Sequence, residues 1–128
     1  MSALNVDSAI GAHLAWKRRL EYVILGVADT EMELDVVCDD TKCLLGMWLI
    51  GEGRNHEAWQ AYPTLLERHR LFHWEACQIV GLFHKGKTAD ALELLNGEFD
   101  RLSTEVVDLL AQLRNHLNQQ NGRQGRSG

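Results

Sequence analysis

Two histidines and one cysteine occur at helical spacing in the segment 67–77, which reads E-R-H-R-L-F-H-W-E-A-C. On a helix, His69, His73 and Cys77 lie at positions i, i+4 and i+8, so they lie roughly along one face. The apolar stripe of the same helix passes through both histidines in alternating steps of three and four residues. We therefore expect two imidazoles at buried positions, where a polar ring requires a partner, and a metal ion is one candidate partner.

Other side chains of metal-binding type lie on separate predicted helices. His13 falls on the apolar stripe of the first helix, and Cys43 begins a short apolar helix whose dipole favours a thiolate. Each signal is weak alone, but several inward-facing donors on different helices favour one shared tetrahedral ion, and three imidazoles with one thiolate suit Zn²⁺. The candidate ligands are His13, Cys43, His69 and His73, with Cys38 and Cys77 in reserve.

Three long helices and one short helix are predicted to position these side chains. The long helices cover about residues 6–27, 62–84 and 88–117, with Thr88 as the N-cap of the last, and the short helix covers residues 43–51. Short turns make consecutive helices antiparallel neighbours, so we predict an all-α, antiparallel bundle of the four-helix type in which the extra short helix carries the cysteine ligand. Gly46, inside that short helix, predicts close approach of another backbone or of a bound group.

The segments between and after these helices are predicted to be irregular. Residues 28–42 are acidic but lack the spacing of a calcium loop, so we expect a solvated connection with at most a helical turn. Residues 118–128 contain no large apolar side chain. The domain is therefore predicted to span residues 1–117, followed by a flexible polar tail at 118–128.

Composition excludes several classes of protein. The chain has 128 residues, which corresponds to one domain, and its formal net charge of −5 argues against a nucleic-acid partner. No secretory signal and no membrane-spanning stretch occurs, so we expect a cytoplasmic protein with reduced thiols. Cys38 and Cys43 form a C-x4-C pair. That pair is compatible with a zinc knuckle or, less readily in the cytoplasm, with a disulfide.

The remaining histidines and aromatic residues are expected to have ordinary structural roles. We predict that His56, His84 and His116 are surface residues and that Trp16, Trp48 and Trp74 are core or interface residues. Tyr22, Leu25 and Leu110 lie off the main stripes and are candidates for an interface or for scattered surface apolar groups. A diiron site would require E-x-x-H pairs, which are absent, whereas composition does not exclude haem. The motifs of serine hydrolases, phosphate-binding loops and H-E-x-x-H metalloproteases are also absent.

Taken together, four sequence elements resemble the chemoreceptor zinc-binding domain family. They are H-x-x-W at 13–16, C-x-L-G-x-W at 43–48, Tyr62-Pro63, and H-x3-H at 69–73, in the order expected for the family. The match covers about residues 9–110, and the elements together are far more specific than any one of them. The resemblance implies a small antiparallel helical bundle, commonly a homodimer, that holds one zinc ion per protomer through His13, Cys43, His69 and His73.

The resemblance also implies a regulatory function. Family members usually accompany a signalling output, such as a chemoreceptor module or a diguanylate cyclase, which places them in chemotaxis or cyclic-di-GMP control. The chain contains no such module, so we expect a stand-alone member or an excised domain. The expected signal is zinc occupancy or oxidation of the zinc-bound Cys43, for example by hypochlorous acid, and the alternative is a structural zinc bundle that acts as a protein-interaction module. A four-coordinate site without an open position argues against an enzyme.

Overall fold

All regular structure in the described part of the chain is helical. The computed structural model describes the backbone of residues 4–26 and 37–126, and the side chains of these ranges up to Gln120. The helices are α1 (Val6–Leu25), α2 (Leu44–Ile50), α3 (Tyr62–His84), α4 (Thr88–Asn96) and α5 (Glu98–Arg126), with 3-10 turns at Asp40–Lys42 and Glu52–His56. The prediction of an all-α bundle is confirmed. Within these ranges, no helix combines the length and the apolar character that a membrane span requires.

Local capping groups explain the bounds of α1. The side chain of Asn5 accepts a hydrogen bond of 3.0 Å from the backbone N–H of Ser8, so Asn5 is the N-cap. The helix ends at Leu25 because Gly26 adopts the left-handed conformation, with φ of 70°. Most of the acidic connection predicted at 28–42 lies outside the described residues.

Contacts across the bundle fix the directions of the long helices. Between α1 and α5, ion pairs join Asp7 to Arg114 at 2.6 Å and Lys17 to Asp100 at 3.0 Å. Between α3 and α5, an ion pair joins Arg68 to Glu105 at 3.0 Å, and the ring centroids of Phe72 and Phe99 are 4.8 Å apart. Residue numbers rise along α1 and α3 while those of their partners fall along α5. Helix α5 is therefore antiparallel to both, and α1 and α3 run in the same direction beside each other.

The helix predicted at 88–117 is two helices, which corrects the prediction. It is interrupted at Gly97, whose φ of −108° and ψ of −100° lie outside the helical region. Thr88 is the first residue of α4, and Lys87 occupies the N-cap position. The buried side chains of Leu95 and Phe99 lie on either side of the break, so the apolar stripe continues through it. Periodicity alone therefore did not reveal the interruption.

Residues 118–126 continue α5 as a helix and do not form an irregular segment. Once a helix is nucleated, each further residue adds a backbone hydrogen bond, so a polar sequence without proline can extend it. The predicted flexibility of this tail and the domain boundary at 117 stay predictions.

The core lies between the long helices and includes α2. Its largest fully buried apolar side chains are Phe72, Phe99, Leu20, Leu45, Leu49, Leu65, Ile79, Leu95, Leu110 and Leu113. Tyr22, Leu25 and Leu110 were predicted to lie in an interface or on the surface. Tyr22 and Leu25 are exposed, whereas Leu110 is fully buried. Trp16 is buried in this core, whereas Trp74 is 55 % exposed.

A disulfide bond joins Cys38 to Cys77 on α3, with an S–S distance of 2.07 Å. The expectation of reduced thiols is wrong for these two residues, and so is the pairing of Cys38 with Cys43. Cys77 was expected to be a reserve ligand. Spacing within the sequence did not indicate this pairing because the two cysteines are 39 residues apart and meet only when the segment before Asp40–Lys42 packs on α3.

Opening this disulfide is expected to lower the free energy of unfolding by about 4 kcal/mol, because a loop with a sequence separation of 39 residues is no longer closed in the unfolded chain. The measurement is urea denaturation of metal-free Cys77→Ser and of the metal-free wild-type protein, each with and without a phosphine reductant. The reductant should destabilise the wild-type protein to the level of the variant and leave the variant unchanged. A wild-type midpoint that does not respond to the reductant would contradict the bond.

Candidate metal centre

Three helices bring the four predicted ligands together. His13 lies on α1, His69 and His73 lie one turn apart on α3, and Cys43 immediately precedes α2. One possible ligand atom from each side chain lies within 4.8 Å of those of the other three. Among the described residues, this is the only such group of three or more histidine, cysteine or acidic side chains. The arrangement is positioned for metal binding.

The ring of His13 has the orientation that a metal ligand requires. Its Nδ1 lies 2.7 Å from the backbone carbonyl oxygen of Ala9, one turn earlier on α1. Because a carbonyl only accepts, Nδ1 carries the proton and Nε2 has an available lone pair. Nε2 is buried and has no hydrogen-bond partner among the described residues. Such an orphaned acceptor costs free energy unless something satisfies it, and a metal ion in the cluster would do so.

His73 is oriented by a second backbone carbonyl. Its Nδ1 donates to the carbonyl oxygen of Val37 at 3.1 Å, which fixes the tautomer and leaves Nε2 as the acceptor nitrogen. Val37 directly precedes Cys38, and the disulfide partner Cys77 lies one turn beyond His73 on α3. The disulfide therefore holds, beside α3, the segment that supplies this carbonyl.

Cys43 is placed by the close approach of two backbone segments. Its Sγ accepts a hydrogen bond from the N–H of Gly46 at 3.3 Å, which makes Cys43 the N-cap of α2, and lies 3.2 Å from Nε2 of His69. A Cβ atom at Gly46 would collide with the backbone carbonyl of Asp40. The expectation that Gly46 permits close approach is therefore confirmed, with the Asp40–Lys42 turn as the approaching backbone.

Burial controls the charge of the cluster. His13, His69 and His73 are 3 %, 0 % and 0 % exposed. Burial lowers the pKa of His13, and burial together with the neighbouring histidine rings lowers the pKa of His69 to about 2. Burial also raises the pKa of the Cys43 thiol. Without a cation, His13, His69 and Cys43 are therefore neutral at neutral pH, and a bound divalent cation would favour the thiolate.

Two of the other three histidines contact each other. His84 is exposed at the end of α3, as expected. His56 and His116 are half-buried and contact each other, with 3.1 Å between Nδ1 of His56 and Nε2 of His116. The prediction of surface residues did not include this contact. They are 60 residues apart, and no local spacing signals their contact.

Comparison with known proteins agrees with this geometry. The model of the chemoreceptor zinc-binding domain family matches residues 13–80, more than half of the chain. The matched span begins at His13 and includes all four residues of the cluster, together with α2 and most of α3. No individual curated protein and no solved structure matches the chain significantly.

Acidification is expected to destabilise the metal-free protein. The pKa values of His13 and His69 in the folded state lie below the reference value of 6.5, so the unfolded chain binds more protons below that pH. Their stabilising contribution is therefore fully present above pH 6.5 and is lost as the pH falls. Each histidine should lower the free energy of unfolding by about 1.4 kcal/mol per pH unit in this range.

The measurement is urea denaturation with a chelator present, between about pH 7 and about pH 5. His69→Gln should reduce the dependence of the free energy of unfolding on pH by the contribution of one histidine. His84→Gln, at an exposed position, should leave that dependence unchanged. A free energy of unfolding that stays constant across this range would contradict the neutral, buried state of the cluster.

Proposed function

Because the chain belongs to the chemoreceptor zinc-binding domain family, we propose that it is a zinc-dependent sensor domain. The observation that carries the proposal is the buried cluster, in which one ligand atom from each of four side chains lies within 4.8 Å of the others. The buried, unsatisfied Nε2 of His13 supports it, because a structure built only for packing gains nothing from that atom.

The donor set favours zinc over other ions. Three imidazole nitrogens and one thiolate sulfur match a tetrahedral Zn²⁺ site, whereas Mg²⁺ and Ca²⁺ prefer oxygen ligands. When bound, zinc would stabilise the fold and keep the Cys43 sulfur deprotonated. Four protein ligands leave no position for a reactive water, so we propose a regulatory centre and not an enzyme.

Helix α2 is the element that we expect to respond to the site. Cys43 attaches the beginning of α2 to the cluster, and Leu45 and Leu49 pack its other face into the core. The exposed face carries Leu44, Met47 and Ile50, with Leu44 80 % exposed. Release of Cys43 would let this seven-residue helix shift and would alter an apolar surface that a partner can read.

Two signals can act through Cys43. In one, the zinc occupancy of the site sets the position of α2, so the protein reports available zinc. In the other, an oxidant such as hypochlorous acid would convert the Cys43 thiolate to a sulfenic acid and be reduced to chloride, and the weaker ligand would release zinc and α2. The states of the three cysteines support the second signal. Cys38 and Cys77 form a disulfide, and Cys43 is the free cysteine.

A structural zinc site in a protein-interaction module is the alternative function. It uses the same ligands and the same exposed apolar face of α2, but the ion never leaves. Exchange with isotopically labelled zinc distinguishes the two functions, because a zinc-occupancy sensor must exchange its ion on the timescale of the signal. An ion that does not exchange, in a protein whose Cys43 resists oxidation, would favour the structural module.

We also propose a cytoplasmic homodimer that transmits its state to a chemoreceptor-type or diguanylate-cyclase-type output. Support for an interface comes from large apolar side chains that the described residues leave exposed. They are Leu14, Tyr22, Leu25, Leu44, Met47, Ile50 and Trp74. Neither nucleic acid nor membrane is proposed as a partner, because the net charge of −5 disfavours binding to polyanionic surfaces.

Purified protein is expected to contain about one zinc ion per chain, as the tetrahedral donor set requires. Cys43→Ala should weaken zinc binding by at least about tenfold while the bundle stays folded, because the apolar stripes are unchanged. Metal analysis measures the zinc content, and competition with a chromogenic chelator measures the zinc affinity. His84→Gln serves as the control that keeps wild-type affinity. Absence of zinc in the purified protein, or wild-type affinity in Cys43→Ala, would contradict the proposed ligand set.

Treatment of the zinc-loaded protein with hypochlorous acid is expected to oxidise Cys43 and release zinc in proportion. Mass spectrometry of proteolytic peptides follows Cys43, and a zinc indicator follows the ion in the same sample. The Cys38–Cys77 disulfide provides an internal control, since its sulfurs are already oxidised. Modification of another residue first, with zinc retained, would rule out the oxidant-sensing mode.

A further inference from the structure

A second pair of histidines lies outside the buried cluster and shares no residue with it. His56 ends the 3-10 turn after α2, and His116 lies on α5, 60 residues later. Nδ1 of His56 and Nε2 of His116 are 3.1 Å apart. The contact therefore joins the segment that follows α2 to the C-terminal half of α5 through two ring nitrogens that face each other.

Two tryptophans hold the rings of this pair. The ring of His56 stacks on Trp48 with 5.8 Å between centroids and 22° between planes, and the ring of His116 stacks on Trp59 at 5.1 Å and 19°. The two imidazoles are nearly perpendicular, at 87°. Each histidine is thus packed against an indole, which limits the tilting of both rings.

We propose that His56 and His116 form a second, exchangeable site for a divalent cation of the zinc or nickel type. The pair borders an open groove of about 1190 Å³, which gives an ion access from solvent. Two imidazoles supply two of the positions around the ion, and water occupies the others. Charged residues also line the groove, namely Glu52 and the paired Asp7 and Arg114.

The spacing of the nitrogens matches a shared ion. Two nitrogens bound at about 2.0–2.1 Å, with bond angles between a right angle and the tetrahedral angle, are roughly 2.9–3.4 Å apart. The observed 3.1 Å falls in this range, so the two nitrogens need not move apart, and each ring turns until its lone pair points at the ion and not at the other nitrogen. Partial burial, together with the neighbouring His56, lowers the pKa of His116, which keeps that ring neutral and able to bind a cation at neutral pH.

Binding requires one change of tautomer. In the pair without an ion, one facing nitrogen donates its proton to the other, so only one lone pair is committed to the contact. When the ion binds, the proton on the donating nitrogen is lost to water and the other nitrogen of the same ring takes up a proton, so both rings stay neutral. The ion replaces one hydrogen bond with two metal–nitrogen bonds.

The test is calorimetric titration of the full chain with ZnCl₂, after its buried site has been loaded with one equivalent of zinc. The wild-type protein should take up a second equivalent, whereas His116→Gln and His56→Gln should bind it at least about tenfold more weakly. His84→Gln replaces an exposed histidine outside the groove and should retain the second equivalent. Helix dichroism of each variant verifies that the bundle is folded.

Fluorescence provides a local readout, because NiCl₂ bound to the pair should quench the stacked Trp48 and Trp59, and the quenching should be lost in His116→Gln. No second equivalent in the wild-type protein, or an undiminished second equivalent in both histidine variants, would overturn the proposal. If the buried cluster does not bind zinc, the wild-type protein would bind one equivalent in total, and His116→Gln would weaken the binding of that equivalent. This result differs from the one expected if only the histidine pair does not bind zinc.

Discussion

Burial of four metal-binding side chains inside an apolar bundle is the constraint on which the rest of the structure depends. The three imidazoles are almost fully buried, and desolvation lowers the pKa of His13 and His69 while it raises the pKa of the Cys43 thiol. Polar groups at such positions destabilise a fold unless they are satisfied. Backbone carbonyls satisfy one nitrogen each of His13 and His73, and the orphaned Nε2 of His13 identifies the point where an ion would act.

The site depends on short elements of the fold as well as on the long helices. Cys43 comes from the start of a seven-residue helix, and its position depends on Gly46, where any side chain would collide with the Asp40 carbonyl. The carbonyl that orients His73 comes from a segment held to α3 by a disulfide. Under the proposed sensor function, a change at the sulfur or at the ion would act first on these short elements.

The sequence predicted the parts of the fold and site that depend on local spacing. Helical periodicity placed the three histidines on buried stripes, whereas Cys43 was a candidate from its position at the start of the apolar helix and from the family resemblance, and the structure brings all four together. Features that depend on tertiary contacts were not predicted. Gly97 interrupts a continuous apolar stripe, the Cys38–Cys77 bond joins distant segments, and His56 meets His116 only when α5 packs beside the turn after α2.

The most direct test of the central claim is X-ray absorption at the zinc edge of the purified protein. The proposed centre predicts four-coordinate zinc with one sulfur at about 2.3 Å and three nitrogens at about 2.0–2.1 Å. The sulfur contribution should disappear in Cys43→Ala, because Cys43 is the cysteine in the cluster. A wild-type spectrum with only nitrogen and oxygen ligands, or with two sulfurs, would contradict the assignment of His13, Cys43, His69 and His73 as the ligands.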